Sequence, residues 1–219
     1  MPAAQIFDLT PSFQDDFEGE EINFDDWYDD SSRRSPANYY LENGSLKIGT
    51  RAQTSDRVKL RTFKDSFGLG KYEWRIFVPA INPGDQVSVG AFLYFDDEHE
   101  FDFEIGYGQI EDREMYLPKT DELLAFCVSQ SGTSKGIPVL ANAWHTFSLE
   151  LTLNDENNFL VKWLINEEVV KELNTDFGEE ITFSAICSVE NLSFMGEQLP
   201  VSDTYALFDY FRFYTLLKE

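Results

Sequence analysis

Residues 99–108, HEFDFEIGYG, alternate by chemistry: Phe101, Phe103 and Ile105 fall on one side of an extended chain, and Glu100, Asp102 and Glu104 fall on the other. A period of two makes this stretch a β-strand with one face for a core and one face lined with acid. Like charges along a strand face repel by up to about 1 kcal/mol per neighbouring pair. The row is therefore a face that is only solvated, a cation site, or a set of acids used in chemistry, and in a chain this acidic the E-x-D-x-E spacing alone leaves the three open.

The same texture continues on both sides of the row. YYLENGSLKIGT, RVKLRTF, GKYEWRIFVPA, QVSVGAFLYF, EMYLP, LLAFCVS, WHTFSLELTL, NFLVKWLINEEVVKEL, ITFSAICSV and YALFDYFRFYTLL all read as strands, rich in Phe, Tyr and Val. Turn residues separate them. LENGSL predicts a type I′ hairpin with Asn43 and Gly44 at its tip, INPGDQ a loop at Pro83 and Gly84, and LINEEVV a further hairpin at Asn166. No run of a dozen residues carries a helical period. The expectation is an all-β fold, a two-sheet antiparallel β-jelly-roll sandwich formed as a single domain over residues 1–219. A curved sheet of that kind has a hollow side, where a polar row on a central strand would line a pocket.

Composition narrows the function. Against 40 Asp and Glu stand only 17 Lys and Arg, a formal charge of -23, which repels nucleic acid and anionic lipid. The acid is spread along the whole chain, as a solubilising charge would be. The amino-terminal MPAAQIFDLTPSFQDDF has no basic region and no apolar run of secretory length, and no segment approaches the roughly 20 apolar residues of a membrane span. Neither nucleic acid nor membrane is expected as a partner, and a monomer is. Cys127 and Cys187 both sit in apolar runs, so two buried free thiols are expected ahead of one disulfide. With His99 and His145 as its only histidines, the chain offers little for a zinc site or a Ser-His triad. NGS at 43 and NLS at 191 match the glycosylation acceptor pattern.

If Glu100 and Glu104 share a face, their Cα atoms lie about 13 Å apart, and side chains leaning together bring the carboxyls to roughly 5–6 Å, the separation of a retaining glycosidase. One carboxylate then attacks the anomeric carbon while the other protonates the leaving oxygen. Asp102 between them can hydrogen-bond the nucleophile and help keep the acid protonated.

The pieces DDFEGEEINFDDW, LENGSLKIGT, FGLGKYEWRIFVPA, VGAFLYF, EFDFEIG, WHTFSLEL with VKWLINEEVV, and FDYFRFY occur in the order and spacing of glycoside hydrolase family 16, the laminarinase, lichenase and agarase group, which the chain resembles over residues 13–214. The resemblance implies a concanavalin A-like jelly roll that cleaves β-linked polysaccharides with retention, with an oligo- or polysaccharide as partner and a secreted or periplasmic setting. By motif it makes Glu100 the nucleophile, Asp102 its partner and Glu104 the acid/base. RVKLRTF matches a strand lining the family's cleft, so Arg61, with Lys59 on the same face, is expected to hold sugar hydroxyls; surface ion pairing is the competing reading for both. In FDYFRFY, Asp209 alternates onto the side of Phe211 and Phe213, and the family often binds a structural calcium through this aspartate and the carbonyl of a glycine matching Gly44; backbone pairing or solvent exposure of Asp209 is the alternative. The chain departs from the family where a tryptophan usually precedes the nucleophile, since Glu98 and His99 stand there, and His99 is the candidate replacement platform, with simple packing on the edge face as the alternative. AFW becomes AFL at 91–93, and ICSVENLSFMG lacks the late asparagine-aromatic motif. Trp27, Trp74, Trp144 and Trp163 read as core. A jelly roll that keeps the acid row but only binds carbohydrate is the alternative function.

Overall fold

A computed structural model describes residues 6–63, 67–130, 132 and 134–217, so the part of the amino-terminal reading that falls on residues 1–5 lies outside the described residues. Numbered in chain order, one sheet runs β14 (Glu168–Gly178), β13 (Asn158–Ile165), β12 (Ala143–Leu153), β7 (Gly70–Val78), β16 (Thr204–Leu217), β5 (Leu46–Thr50) and β4 (Tyr39–Leu41), with β1 (Ile6–Phe7) and β2 (Phe13–Asp15) also paired to β16. The other runs β11 (Lys135–Leu140), β10 (Glu122–Ser129), β9 (His99–Gly106), β8 (Val87–Asp96), β15 (Ser184–Asn191), β6 (Arg57–Thr62) and β3 (Trp27–Asp29). All strand pairs between these elements are antiparallel, and the two sheets stack as the expected jelly-roll sandwich.

Alternation on β9 does what its sequence demands. Phe101, Phe103 and Ile105 are fully buried between the sheets, where Phe101 meets Trp163 edge-on at 5.9 Å and Phe103 meets Phe147 at 5.1 Å. Each such side chain contributes about 1.5–3 kcal/mol by burial. Trp163 also donates its indole N–H to the backbone carbonyl of Asp102 at 3.0 Å, tying the acid strand to the opposite sheet through the core.

The turns follow their chemistry. Asn43 and Gly44 take φ of 52° and 73° at the β4–β5 hairpin, and Asn166 and Glu167 take 50° and 70° between β13 and β14. EMYLP departs from its reading as a strand: Ile110–Tyr116 is a short helix, α1, opened by the Asp112 carboxylate on the Gln109 N–H at 3.1 Å and ended at Leu117 with φ 50° before Pro118. Cys127 and Cys187 are buried free thiols. Trp27, Trp74 and Trp163 are core, but Trp144 is 37% exposed on the nine-stranded sheet. Asn191 of the second acceptor pattern is buried and hydrogen-bonded to Thr50 and to the backbone of Arg51 and Thr54. No described helix is long and apolar enough to cross a membrane.

Candidate active site

On β9 the even-numbered residues face away from the core, and strand pairing extends each into a rung across the seven-stranded sheet. Arg61, Ile186, Phe92, Asp102 and Val128 form one rung; Lys59, Ser188, Gly90, Glu104 and Phe126 form the next. Glu100 lies opposite Tyr94 and receives a hydrogen bond from the Gln130 amide at 3.3 Å. The acid row therefore crosses the middle of a broad surface. Two hollows open on either side of it.

The first, about 470 Å³, lies towards β10 and is lined by Phe126, Val128, Leu192, Phe194 and Met195 beside the three acids. The second, about 340 Å³, lies towards β6 and is lined by Lys59, Arg61, Tyr94, Glu190 and others, with Glu100 and Glu104 shared between the two. The first sets an apolar wall against the acids, and the second is mostly polar. Gly90 sits between Glu104 and Ser188, and a Cβ there would come within 2.3 Å of the serine hydroxyl, so glycine is what keeps this part of the floor low.

Burial and mutual repulsion govern the protons. Asp102 is 4% exposed; loss of solvent first, then the charges of Glu100 and Glu104, hold its carboxyl well above the usual carboxylate range. Glu104 is pushed up to about 8, chiefly by burial and next by the charge of Glu190, against the hydrogen bond it receives from Ser88. Glu100 is raised too, again by burial, but here Gln130, a hydrogen bond with Asp102 and the charge of Lys59 all favour its ionised form. Both glutamates on this strand face are thus held above the ordinary carboxylate range by burial, Glu104 with the charge of Glu190 added and Glu100 with three partners that favour its ionised form. The Oδ1 atom of Asp102 and the Oγ of Ser188 have no hydrogen-bond partner among the described residues.

Arg61 lies in the polar hollow as expected, donating to the Ser184 hydroxyl at 2.7 Å with its guanidinium over the Tyr94 ring at 4.9 Å. Lys59 shares that hollow. His99 does not belong to the site. As an odd-numbered residue of β9 it points to the core side, where it contacts Phe177 edge-on at 4.5 Å and hydrogen-bonds Asp96 at 2.6 Å. The alternation that set Phe101 and Phe103 inside assigns His99 to their side as well.

Asp209 also departs from its expected place. A register shift between Phe208 and Tyr210 on β16 breaks the alternation, so Asp209 turns outwards and pairs with Arg75 at 2.6 Å while Phe211 stays buried. With its carboxylate on a guanidinium and Gly44 at an exposed hairpin tip, these residues do not fit a calcium site, and no group of three or more His, Cys, Asp or Glu among the described residues has the arrangement to hold a metal ion. Four contributors to the acid row went unnoticed in the sequence: Glu190, Arg57, Ser88 and Gln130. The β8–β9 hairpin brings Ser88 to Glu104, and only the pairing of β15 with β6 and β8 brings Glu190 and Arg57 near it.

No family model matches the chain, and no curated protein does. Solved structures do. The catalytic domain of an endo-1,3-β-glucanase (laminarinase) from Thermotoga petrophila RKU-1 superposes with a TM-score of 0.69 at 17% identity, covering 97% of this chain and 100% of that one. The Bacillus licheniformis β-glucanase gives 0.64 at 17% identity, over 94% of this chain and 99% of that one. A LamA variant from Z. galactanivorans, solved with laminaritriose and laminaritetraose, gives 0.65 at 17% identity, over 94% and 99%. The fold is the jelly roll of these laminarinase and β-glucanase domains.

Proposed function

We propose that this protein is an endo-acting glycoside hydrolase that cleaves a β-linked polysaccharide, a glucan or galactan, with retention of anomeric configuration. The observation that carries the reading is the pair Glu100 and Glu104: same strand face, four residues apart, with a buried aspartate between them, and both held above the ordinary carboxylate range, Glu104 up to about 8. The fold likeness supports it.

In the first step the Glu100 carboxylate attacks the anomeric carbon while protonated Glu104 gives its proton to the departing oxygen, leaving a glycosyl ester on Glu100. In the second, Glu104, now a carboxylate, takes a proton from water, which attacks the same carbon and frees Glu100. Asp102 hydrogen-bonds Glu100 and holds it in line. Arg61 and Lys59 meet sugar hydroxyls in the polar hollow; in the other, Phe126 and the 56%-exposed Phe194 offer rings to the C–H faces of the chain.

A panel of β-1,3-, β-1,3-1,4- and β-1,4-linked glucans and galactans, digested by wild type and by Glu100→Gln and Glu104→Gln, tests this. Wild type is expected to cut at least one, releasing the β-anomer first by NMR. Each variant is expected to lose about 10² to 10⁴-fold in rate with its fold intact. Hydrolysis that persists in both variants overturns the assignment. Glycan binding without turnover, unchanged by either substitution, would instead make the protein a binding module.

A further inference from the structure

We infer that Glu190, clamped by Arg57, is a positioning residue that sets the proton affinity of Glu104. The inference rests on the reading of Glu104 as the proton donor, and it names a fourth carboxylate that the E-x-D-x-E row does not contain.

Glu190 lies in ICSVENLSFMG, on β15, where its side chain is 2% exposed. It shares a rung with Ser88 on one side and Arg57 on the other. Ser88 donates its hydroxyl to Glu104 Oε2, and Arg57 donates its Nε–H to Glu190 Oε2. The order across the surface is therefore guanidinium, carboxylate, hydroxyl, carboxylic acid. A buried glutamate without a cation would take up a proton and lose its effect on its neighbours, or unfold the sheet. Arg57 supplies that cation: its guanidinium pairs with the Glu190 carboxylate, and being 49% exposed it remains partly hydrated. The anion then opposes ionisation of Glu104 from two strands away.

Every element around Glu104 must be counted. From its own strand come Glu100 and Asp102; β8 brings the Ser88 hydroxyl, β6 brings Arg57 and Lys59, β15 brings Glu190, and α1 brings Asp112 in the hollow towards β10. From β10 the facing group is Phe126, which only removes water. Among the charged neighbours, Glu190 raises the Glu104 proton affinity most, ahead of Glu100, and Arg57 counters it only weakly. The clamp cation is thus farther from the acid in effect than the anion it holds. A pair that is neutral as a whole still acts on Glu104 as a negative charge.

Three proteins test this: wild type, Glu190→Gln, and the double variant Arg57→Gln/Glu190→Gln, which leaves no buried charge unpaired. The readout is the titration midpoint of the Glu104 carboxyl by ¹³C NMR, assigned by its absence in Glu104→Gln, alongside the basic limb of the kcat/KM profile. Glu190→Gln removes the anion and leaves the cation, so the midpoint is expected to fall by about one to three pH units. The double variant should fall less and lie between the two, and it remains available if the single variant does not fold. Equal midpoints in wild type and the folded variants, whatever their melting temperatures, would reduce Glu190 to a structural residue and overturn the inference. The NMR reading does not depend on turnover: ordered midpoints in a protein that hydrolyses nothing would sink the hydrolase reading alone, and unmoved midpoints in an active enzyme would sink this one alone.

Discussion

The two solvent-facing sides of the sandwich use the same residue types to opposite effect. On the nine-stranded sheet the carboxylates meet cations: Glu73 meets Lys71 at 2.6 Å, Asp209 meets Arg75 at 2.6 Å, Asp16 meets Arg212 at 2.7 Å and Glu172 meets Lys162 at 3.6 Å. On the seven-stranded sheet Glu100, Asp102 and Glu104 are set beside one another, and an ion pair in their midst, Arg57 with Glu190, adds an acid as well as a base. With 17 cations for 40 acids, cations are too few to pair every carboxylate, and their distribution carries information. They neutralise the side that only has to be stable. On the acid face burial and neighbouring carboxylates outweigh the cations present, so the carboxyls keep protons that they would lose in water, and such protons are what general acid catalysis needs.

Stability as a function of pH is the strongest way to break that contrast. Glu104 has an ordinary value of 4.5 and is pushed up to about 8 in the fold, so the folded state binds more protons than the unfolded chain between those limits. Its contribution is then fully present below 4.5 and is lost as pH rises through about 8, at up to about 1.4 kcal/mol per pH unit for one proton. Glu104→Gln is expected to flatten this part of the profile and to be more stable than wild type at pH 8, measured by urea unfolding across pH 5–9. An unchanged slope would mean that the acid face is solvated after all. Next in size is the core beneath: Phe103→Ala, a full truncation behind the acid row, should cost about 3–5 kcal/mol by the same unfolding measurement. A cost under about 1 kcal/mol would show that the row does not depend on that packing for its rigidity.

How far the sequence reached follows from the range over which its signals act. Alternation is local, so the strands, the buried Phe101, Phe103 and Ile105, and the shared face of Glu100, Asp102 and Glu104 were legible, as were Lys59 and Arg61 on one side of β6. Of the two readings of His99, packing is the one the structure shows, and alternation carried two residues upstream would have chosen it. The helix at Ile110–Tyr116 was hidden by its length: seven residues carry two turns and no full apolar stripe, and the signals that define it are an Asp112 cap and a left-handed Leu117. Glu190 and Arg57 were out of reach for a different reason. They are separated in sequence by 133 residues, and nothing local states that β15 pairs with both β6 and β8. Asp209 shows the limit of alternation itself, since a single bulged residue on β16 reverses the side on which the next ones emerge.

That bulge supplies the smallest and most direct check on the comparison. Asp209 and Arg75 have side chains 31% and 42% exposed, so water and salt screen the pair, and exposed pairs contribute about 0–1 kcal/mol. The guanidinium also lies over the Trp144 ring at 4.9 Å, which keeps Arg75 in place when its partner is removed. Asp209→Asn is therefore expected to cost no more than about 1 kcal/mol, to lose even that in 1 M salt, and to leave hydrolysis untouched. A chelator should leave the wild-type melting temperature where it was. A drop of several degrees with the chelator, restored by calcium and absent in Asp209→Asn, would mean that the carboxylate leaves Arg75 for a cation. The nine-stranded face would then hold a binding site of its own, and the division between a paired side and an unpaired side would fail at the residue where it was drawn most sharply.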